Sequence, residues 1–445
     1  TQIKPTKNLP FSLVISPLIP YRYCGRIIPM KKLKLKDFKI LDEQDPLFKI
    51  RDEFILPSKL IYFDGNSLGP LPKQTINMLD SMIQKEWGNG LISSWNKENW
   101  INMPRDLGNK IAPLIGAKKG EVVVVDSTSI NLFKVLSSAL LLKKSRKIIV
   151  SEAENFPSDL YILEGVKKIF GKSYKIQLIK EGDYKIENHI NFSTAVVVLS
   201  HINYKTGRIN DIKKITRVAH EKGALVIWDL SHSVGVMPIH LHNCCVDFAV
   251  GSTYKHLNCG PGSPSFLFVN ESLIEKVSQP LTGWMGHIQP FEFSSKYQSA
   301  NDIGKYICGT PSIIAYKAIQ SALKVFDKVS LKIVREKSIK LSEMFIKLMD
   351  QECIEFDFTL ISPLKNQDRG SQVSFTHSKG FSIMQTLISR GIIGDFREPN
   401  ILRFGLSPLY MRFENIWKAV LCLRKIMQTK EWESKKFNKK KGIVT

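Results

Sequence analysis

The chain has 445 residues, of which 43% are hydrophobic and 24% charged, a composition that excludes widespread disorder away from the ends. The length predicts one large domain and one smaller domain. The formal net charge of +23 is concentrated toward the two ends, so it favours a solvated basic surface over a nucleic acid partner.

The sequence also indicates the cellular compartment of the protein. It has no uncharged apolar run of 18 residues, and Pro10, Pro17 and Pro20 break the first apolar stretch, so neither a spanning helix nor a secretion signal is predicted. The cysteines lie at positions 24, 244, 245, 259, 308, 353 and 422. This spacing predicts neither a disulfide framework nor a metal site. Free thiols favour a reducing compartment, and we predict a cytoplasmic protein without a membrane partner.

The chain begins with a stretch that is first Pro-rich and then Lys-rich. Residues 1–40 show no sustained period, which predicts an extended, partly disordered arm. Residues 41–75 are expected to join the smaller domain. Apolar residues at helical spacing then predict a helix over Lys73–Trp87.

From residue 122, short runs rich in β-branched residues alternate with helical patterns. The predicted elements are Val122–Val125, Asn131–Leu142, Ile148–Val150, Leu160–Phe170, Ala195–Leu199 and Ile212–Lys222, then strands Leu225–Trp228, Phe248–Val250 and Phe266–Val269. This rhythm predicts an α/β fold in which the large domain, residues 76–325, holds a mostly parallel sheet of the seven-stranded type flanked by helices.

The last third of the chain predicts a second unit. Helices are expected over Ser312–Phe326 and Val334–Met349. The elements that follow are predicted as Val373–Thr376, Ser382–Ser389, Ile401–Gly405 and Glu414–Met427. They indicate a smaller α/β domain over residues 326–430, and the Lys-rich residues 431–445 are expected to form a solvated basic tail.

Two residues that follow neighbouring predicted strands carry the chemistry. Asp229 closes the apolar run 224–228, where an unpaired carboxylate is costly and a cationic partner is expected. Lys255 follows the next strand in the turn Ser-Thr-Tyr-Lys-His. An aspartate that keeps a pyridine nitrogen protonated and a lysine that forms a Schiff base together indicate a pyridoxal phosphate site. Taken alone, Lys255 would be read as a surface charge.

Other side chains suit the same cofactor. The stretch 125–131 joins a strand to a helix with small hydroxyl residues, so it predicts a phosphate site; a plain helix cap is the alternative. In the segment 155–159, the Phe156 ring could stack on the pyridine and Asp159 could bond to the cofactor, or Pro157 could simply fix a turn. His232, three residues after Asp229, could pack on the ring or serve as a core histidine.

Arg403 lies within a predicted apolar strand of the smaller domain, where an unpaired guanidinium is costly. The carboxylate of an amino acid substrate would fit its bidentate fork. A structural partner such as a Glu is the alternative.

Several blocks of the sequence together resemble the kynureninase family, pyridoxal phosphate hydrolases of the aspartate aminotransferase fold type. They span roughly residues 60–430 and lie at 62–69, 156–159, 204–207, 229–235, 252–258, 283–287 and 403–410. The Asp and Lys pair is common to the whole fold type. The Gly-Trp-Met-Gly-His block and the closing Arg-Phe-Gly-Leu-Ser-Pro-Leu-Tyr are more particular to this family.

The resemblance implies a role for each matching residue. Lys255 would form the Schiff base, and Asp229 would pair with the pyridine nitrogen. Independently of the resemblance, Tyr254 is the nearest candidate for shuttling protons in the proposed reaction. The remaining cofactor contacts implied are Thr128, Ser129, Phe156, Pro157, Ser158, Asp159, Ser200, His232, Tyr254, Trp284 and Thr310. Ser67 and Arg403 match substrate contacts. Trp284 and Thr310 would approach from the neighbouring subunit, which implies a homodimer.

The resemblance further implies hydrolysis of L-kynurenine, or of its 3-hydroxy form, to anthranilate or 3-hydroxyanthranilate and L-alanine. The chain departs from the animal members at Ser93, where they have a His, and at Thr310, where they have an Asn. Both positions face the aromatic end of the substrate, so the preference between the two substrates stays open. A cysteine desulfurase of the same fold type, with Cys353 as nucleophile, is the competing enzyme. A non-catalytic cofactor-binding or nucleic acid-binding protein is the alternative of another class.

Overall fold

The computed structural model describes residues 32–439, so the first 31 residues of the predicted arm and the last six of the predicted tail lie outside the described range. The described chain begins with short elements that precede the main sheet. They are α1 (Leu35–Glu43), β1 (Phe54–Ile55), β2 (Ile61–Tyr62), β3 (Leu71–Pro72), α2 (Gln74–Ser81), α3 (Ser94–Lys97) and α4 (Met103–Ile111). Helix α1 starts within the stretch predicted as an arm. A π-helical turn, Met82–Asn89, continues α2 over the rest of the helix predicted at residues 73–87.

A seven-stranded sheet forms the centre of the described chain. Its strands are β4 (Val122–Val125), β5 (Ile148–Glu152), β6 (Lys175–Ile179), β7 (Thr194–Ser200), β8 (Leu225–Asp229), β9 (Phe248–Gly251) and β10 (Ser265–Val269). They lie in the order β4-β10-β9-β8-β7-β5-β6, and β10 alone runs opposite to the other six strands. The predicted fold class is therefore confirmed. The strands in the middle are almost wholly apolar because helices cover both faces.

The helices that accompany this sheet are α5 (Thr128–Leu142), α6 (Pro157–Phe170), α7 (Ile212–Glu221), α8 (Glu271–Ile274) and α9 (Ile313–Leu323). Helices α5 and α6 each begin three residues before their predicted starts, since their first turns are built from hydroxyl and acidic residues that break the apolar period. Ser127 caps α5 by accepting the Ile130 amide, and Pro157 occupies the first turn of α6. These polar first turns face the carboxyl ends of the parallel strands, where ligand sites form in α/β sheets.

The C-terminal part holds a second, smaller sheet. Its elements are α10 (Leu331–Cys353), β11 (Thr359–Leu360), β12 (Gln372–Thr376), α11 (Gly380–Ser389), β13 (Ile392–Ile393), β14 (Asp395–Arg397), β15 (Ile401–Gly405) and α12 (Phe413–Thr429). Strands β11-β12-β15-β14 form an antiparallel sheet, and β13 pairs with β2, which connects the N-terminal segment to this part. The first part of the predicted tail makes short turns, and Phe437 is buried. Within residues 32–439, no helix combines the length and apolarity needed to cross a bilayer.

A buried ion pair ties the N-terminal segment to α10. Lys337 Nζ lies 2.6 Å from Asp45 Oδ2, and the two side chains are 5% and 1% exposed. Removing one partner of such a pair leaves an uncompensated buried charge, which costs about 3 kcal/mol or more. We expect Lys337→Ala to lower the free energy of unfolding by about that amount in urea titrations. Lys347→Ala, at an exposed position on the same helix, should change it by less than about 0.5 kcal/mol. Equal effects of the two variants would contradict this.

Candidate active site

A cavity of about 170 Å³ lies at the carboxyl ends of the parallel strands. It is lined by Ser127, Thr128, Ser129, Phe156, Ser158, Asp159, Asp229, Ser231, His232, Tyr254, Lys255, Gly262, Ser263 and Ser265. Nine of these are residues that the sequence nominated. They come together because Asp229 ends β8, Lys255 follows β9, and the first turns of α5 and α6 close the opposite side. A larger cavity of about 590 Å³ next to α1 contains none of the nominated residues.

Asp229 and Lys255 are both buried in this cavity. Asp229 Oδ1 accepts the Ser231 amide at 2.7 Å, and burial raises the pKa of Asp229 although Ser231 and Lys255 act against it. Lys255 Nζ lies 3.2 Å from His232 Nε2 and 5.7 Å from the centre of the Phe156 ring. Burial also holds the pKa of His232 well below its usual value. A neutral His232 ring can accept a hydrogen bond from Lys255.

Asp159 is a second buried carboxylate in the same cavity. Its Oδ2 atom has no hydrogen-bond partner among residues 32–439. Burial raises the pKa of Asp159 well above its usual value, and the nearby charge of Asp229 adds to this. Two buried carboxyl groups therefore face one lysine, and an unsatisfied carboxyl oxygen costs free energy unless a ligand supplies a donor. The cavity is built for a ligand with a cationic or N–H donor group.

Hydroxyl groups form the other wall of the cavity. Ser129 Oγ lies 2.6 Å from Ser158 Oγ, and Thr128 Oγ1 lies 2.9 Å from Ser265 Oγ. Three of these residues stand in the first turns of α5 and α6, where free backbone amides and the helix dipole attract anions. This wall suits a phosphate group.

Two nominated cofactor residues stand behind the cavity wall. Ser200 ends β7 directly beside Asp229, and its hydroxyl donates to Asn155 Oδ1 at 2.6 Å. Pro157 lies in the first turn of α6, where its ring fixes the start of the helix. Asn155 Oδ1 also accepts the amide of the lining residue Phe156 at 2.8 Å, so Ser200 acts on the cavity wall through Asn155, and Pro157 acts through the first turn of α6.

Arg403 and Ser67 adjoin the cavity without lining it. Arg403 is 2% exposed, and it donates to Ser67 Oγ and to the carbonyl of Tyr204, both at 2.9 Å. The Tyr204 ring packs edge-on against the Phe156 ring at 5.2 Å, which connects Arg403 to the cavity wall. The segment that carries Ser67 is held to the lysine loop, because the Gly69 amide donates to the Tyr254 carbonyl at 2.8 Å.

The structural partner that the sequence left open for Arg403 is also present. Arg403 Nη2 forms an ion pair with Asp395, and the two residues face each other across β14 and β15. The partner is an Asp rather than a Glu. The pairing leaves Arg403 Nε without a hydrogen-bond partner among residues 32–439.

Three nominated residues are not brought to the cavity by this chain. Trp284 is 40% exposed and stacks with Phe293 at 6.3 Å between ring centres. Thr310 is exposed, and Ser93 Oγ donates to the Gly90 carbonyl at 2.6 Å. The expectation that Trp284 and Thr310 act in a neighbouring subunit stays a prediction.

Sequence reasoning missed several residues of the site. Gly262, Ser263 and Ser265 line the cavity from the turn before β10 and from its first residue. The Gly-Pro-Gly-Ser run at 260–263 was a usable signal, because it follows the lysine turn directly. Asp395 gave no such signal, since its pairing with Arg403 depends on the register of a three-residue strand.

One cluster of possible metal ligands lies away from this cavity. Glu121, His242 and Glu271 bring potential ligand atoms within 4.8 Å of one another. The Glu121 carboxylate already accepts the amides of Lys118 and Glu271, and the Lys118 ammonium pairs with Glu271. Protein groups therefore account for this cluster without an ion.

Comparisons with known proteins agree on a family. A family model described as the kynureninase C-terminal domain matches residues 334–423. Kynureninase of Pseudomonas fluorescens is 44% identical over 412 residues, which are 92% of this chain and 99% of the relative. Kynureninase of Burkholderia pseudomallei strain K96243 is 42% identical over 91% of this chain and 98% of its own length.

Solved structures show the same fold. The apo cysteine desulfurase of Thermococcus onnurineus NA1 superposes with a TM-score of 0.73 at 20% identity, over 86% of this chain and 98% of that one. A C-DES mutant with glycine covalently linked to its PLP cofactor superposes with a TM-score of 0.71 at 16% identity, over 88% and 99%. At these identities the likeness concerns the fold alone, which is fold type I of the pyridoxal phosphate enzymes.

Proposed function

The chain belongs to the kynureninase family, and from this premise we propose that it hydrolyses L-kynurenine, or its 3-hydroxy form, to anthranilate or 3-hydroxyanthranilate and L-alanine with pyridoxal phosphate as cofactor. The observation that carries the proposal is the 44% identity to a kynureninase along nearly the full length of both chains. The kynurenine pathway of tryptophan catabolism is the proposed context. A cytoplasmic location remains a prediction.

The residues of the cavity fit pyridoxal phosphate. Asp159 Oδ2, which has no partner within the described part of the chain, and the buried Asp229 carboxylate suit a ring that carries a donor. The hydroxyl wall suits a phosphate, and Lys255 offers an amine. When bound, this cofactor supplies an aldehyde that condenses with amines and a protonated ring that withdraws electrons from the substrate. Asp229 would hold the ring nitrogen protonated, and Phe156 and His232 would pack on the faces of the ring.

The chain's own groups would then move protons and orient the substrate. Lys255, once its amine is free, would remove the proton from Cα of kynurenine. Burial raises the pKa of Tyr254, so its phenol stays protonated near neutral pH and can deliver a proton to Cβ. Arg403 would hold the substrate carboxylate through Nε, which has no hydrogen-bond partner among residues 32–439, with Ser67 beside it.

The pKa of Lys255 predicts how the rate of cofactor uptake depends on pH. Burial lowers the pKa of Lys255 to about 8, against the attraction of Asp229. Condensation with the cofactor aldehyde requires the neutral amine, and its fraction rises as pH passes upward through the pKa. We expect the rate at which cofactor-free protein takes up pyridoxal phosphate to rise with a midpoint near pH 8 and then to level off. Stopped-flow absorbance measures this rate, and a midpoint near that of free lysine, about 10.4, would contradict the burial effect.

We also propose a homodimer. An aromatic patch on the surface consists of Trp284, Phe291 and Phe293, which are 40%, 59% and 77% exposed, and Ile288 lies next to it in the sequence. Contiguous exposed aromatic residues of this kind are typical of an interaction surface. Light scattering during gel filtration is expected to give twice the chain mass of 50.6 kDa. Replacement of Phe293 by Asp should shift the mass toward the monomer, whereas a monomeric parent protein would contradict the proposal.

The desulfurase alternative requires a mobile thiolate. Cys353 closes α10, is 2% exposed, and has a pKa raised to about 12 by burial. A buried, protonated thiol is a poor nucleophile. The kynureninase relatives likewise favour an enzyme over a non-catalytic cofactor-binding or nucleic acid-binding protein.

A product assay tests the proposal and its competitor together. Purified protein is incubated with pyridoxal phosphate and with L-kynurenine, 3-hydroxykynurenine or L-cysteine in separate reactions. We expect the aromatic acid and alanine in equal amounts from at least one kynurenine, and no sulfide from cysteine. Sulfide release without any aromatic acid would overturn the proposal. The ratio of the two kynurenine rates decides the substrate preference, in which Ser93 and Thr310 are the proposed determinants.

A further inference from the structure

The Arg403 guanidinium is held by a carboxylate that it shares with a second arginine. Asp395 and Arg403 stand opposite each other in the register of β14 and β15, and they are 3% and 2% exposed. Asp395 Oδ2 pairs with Arg403 Nη2 and also lies 2.7 Å from Nε of Arg397. A buried guanidinium paired in this way cannot swing freely, because leaving the carboxylate would leave its own buried charge without an ion-pair partner.

Two further contacts fix the plane of the Arg403 group. Nη1 donates to the Tyr204 carbonyl and Nη2 to Ser67 Oγ, both at 2.9 Å. Three protein acceptors from three different segments therefore define its orientation, while Nε keeps a donor free among residues 32–439. A side chain held on several sides with a donor to spare is preorganised for an incoming carboxylate.

We propose that Asp395 is a positioning residue for the substrate carboxylate: it orients Arg403, and Arg397 in turn holds Asp395 in place. This inference rests on the proposed function and adds to it a residue that touches neither cofactor nor substrate. Asp395 would favour substrate binding by fixing the orientation of Arg403, although its own negative charge disfavours binding. A carboxylate beside the binding site repels the substrate carboxylate, so a role through charge alone predicts tighter binding when Asp395 is neutralised.

Asp64 provides the matched comparison. It is a second carboxyl group near Arg403 and is partly buried, and its pKa is raised to about 6 by burial and by the charge of Asp395. No ion pair within 4.0 Å joins Asp64 to Arg403 in the described part of the chain. Asp64→Asn therefore removes a negative charge from the same region but no ion-pair partner of Arg403, and the asparagine keeps an oxygen that can accept the side-chain hydrogen bond from Ser67.

The test measures selection for the carboxylate by the holoenzyme. KM and kcat for L-kynurenine are compared with the inhibition constant of the corresponding amine that lacks the α-carboxylate. For Asp395→Asn we expect KM to rise at least about tenfold, with kcat and the inhibition constant of the amine changing less than about threefold. For Asp64→Asn we expect no rise in KM. The cofactor absorbance should stay the same in both variants, which a general collapse of the site would not allow.

The possible results distinguish failure of the positioning role of Asp395 from failure of the proposed function. An unchanged or lower KM in Asp395→Asn, or an equal loss for substrate and amine, overturns the positioning role. If the Asp395→Asn protein does not fold, Arg397→Gln is measured instead. We expect its KM for L-kynurenine to rise, by less than for Asp395→Asn. A KM that does not rise overturns the positioning role of Asp395. Absence of kynurenine turnover in the parent protein instead overturns the proposed function itself.

Discussion

Replacement of Lys255 by alanine is expected to reduce turnover of L-kynurenine by about 10⁴-fold or more, because the variant loses both the amine that bonds to the cofactor and the base that removes the Cα proton. Lys255 as a whole residue is 9% exposed, and it lines the cavity together with Asp229 and Asp159. Steady-state formation of anthranilate measures the loss. The absorbance that free cofactor gains on bonding to the protein should also be absent.

Lys276→Ala is the control for this prediction. Lys276 is an exposed lysine beyond α8, and its replacement should leave turnover within about twofold of the parent. Addition of a small primary amine should restore part of the lost activity in Lys255→Ala. If Lys255→Ala makes anthranilate at a tenth of the parent rate, Lys255 is neither the Schiff base lysine nor the base, and the prediction is wrong.

Asp229→Asn is expected to reduce kcat by about 10³-fold while the protein still folds and binds the cofactor. Asparagine has the same shape as aspartate but cannot hold a pyridine nitrogen protonated, so the ring withdraws electrons less well. Burial raises the pKa of Asp229, so the folded protein already disfavours its charge and should tolerate a neutral residue there. The cofactor absorbance should shift because the ring nitrogen loses its proton.

Asp211→Asn is the matched control, since Asp211 caps α7 by accepting the Lys214 amide and asparagine caps helices equally well. This variant should retain the activity and the thermal midpoint of the parent. If Asp229→Asn keeps more than a third of the parent kcat, the proposed pairing with the ring nitrogen is wrong.

The sequence predicted the centre of the fold well because its strands are buried on both faces. Runs such as Val122–Val125 and Leu225–Asp229 are nearly continuous in apolar residues, so their type and order could be read directly. Strand Lys175–Ile179 was missed because it lies at the edge of the sheet and four of its five residues are exposed or intermediate, which weakens the pattern. Helix Met103–Ile111 was missed because it carries Pro104 and Gly108.

The site was predictable where a residue's place follows from the end of a strand or helix. Asp229 and Lys255 follow buried strands, and Ser158 and Asp159 stand in the first turn of a helix, so topology alone brings them to one edge. Asp395 could not be found in this way. Its strand is only three residues long and reads Asp-Phe-Arg, and its partner Arg403 lies across a hairpin whose register the sequence does not reveal.

The central claim is that Lys255 is the amine to which the cofactor bonds, and reduction followed by peptide mapping tests it most directly. Borohydride treatment of the holoenzyme converts the bond between pyridoxal phosphate and its lysine into a stable secondary amine. Mass spectrometry of the digest then locates the phosphopyridoxyl group. We expect one modified residue, Lys255, and loss of the modification when L-kynurenine is present in excess. Modification of a different lysine, or none at any lysine in active protein, would contradict it.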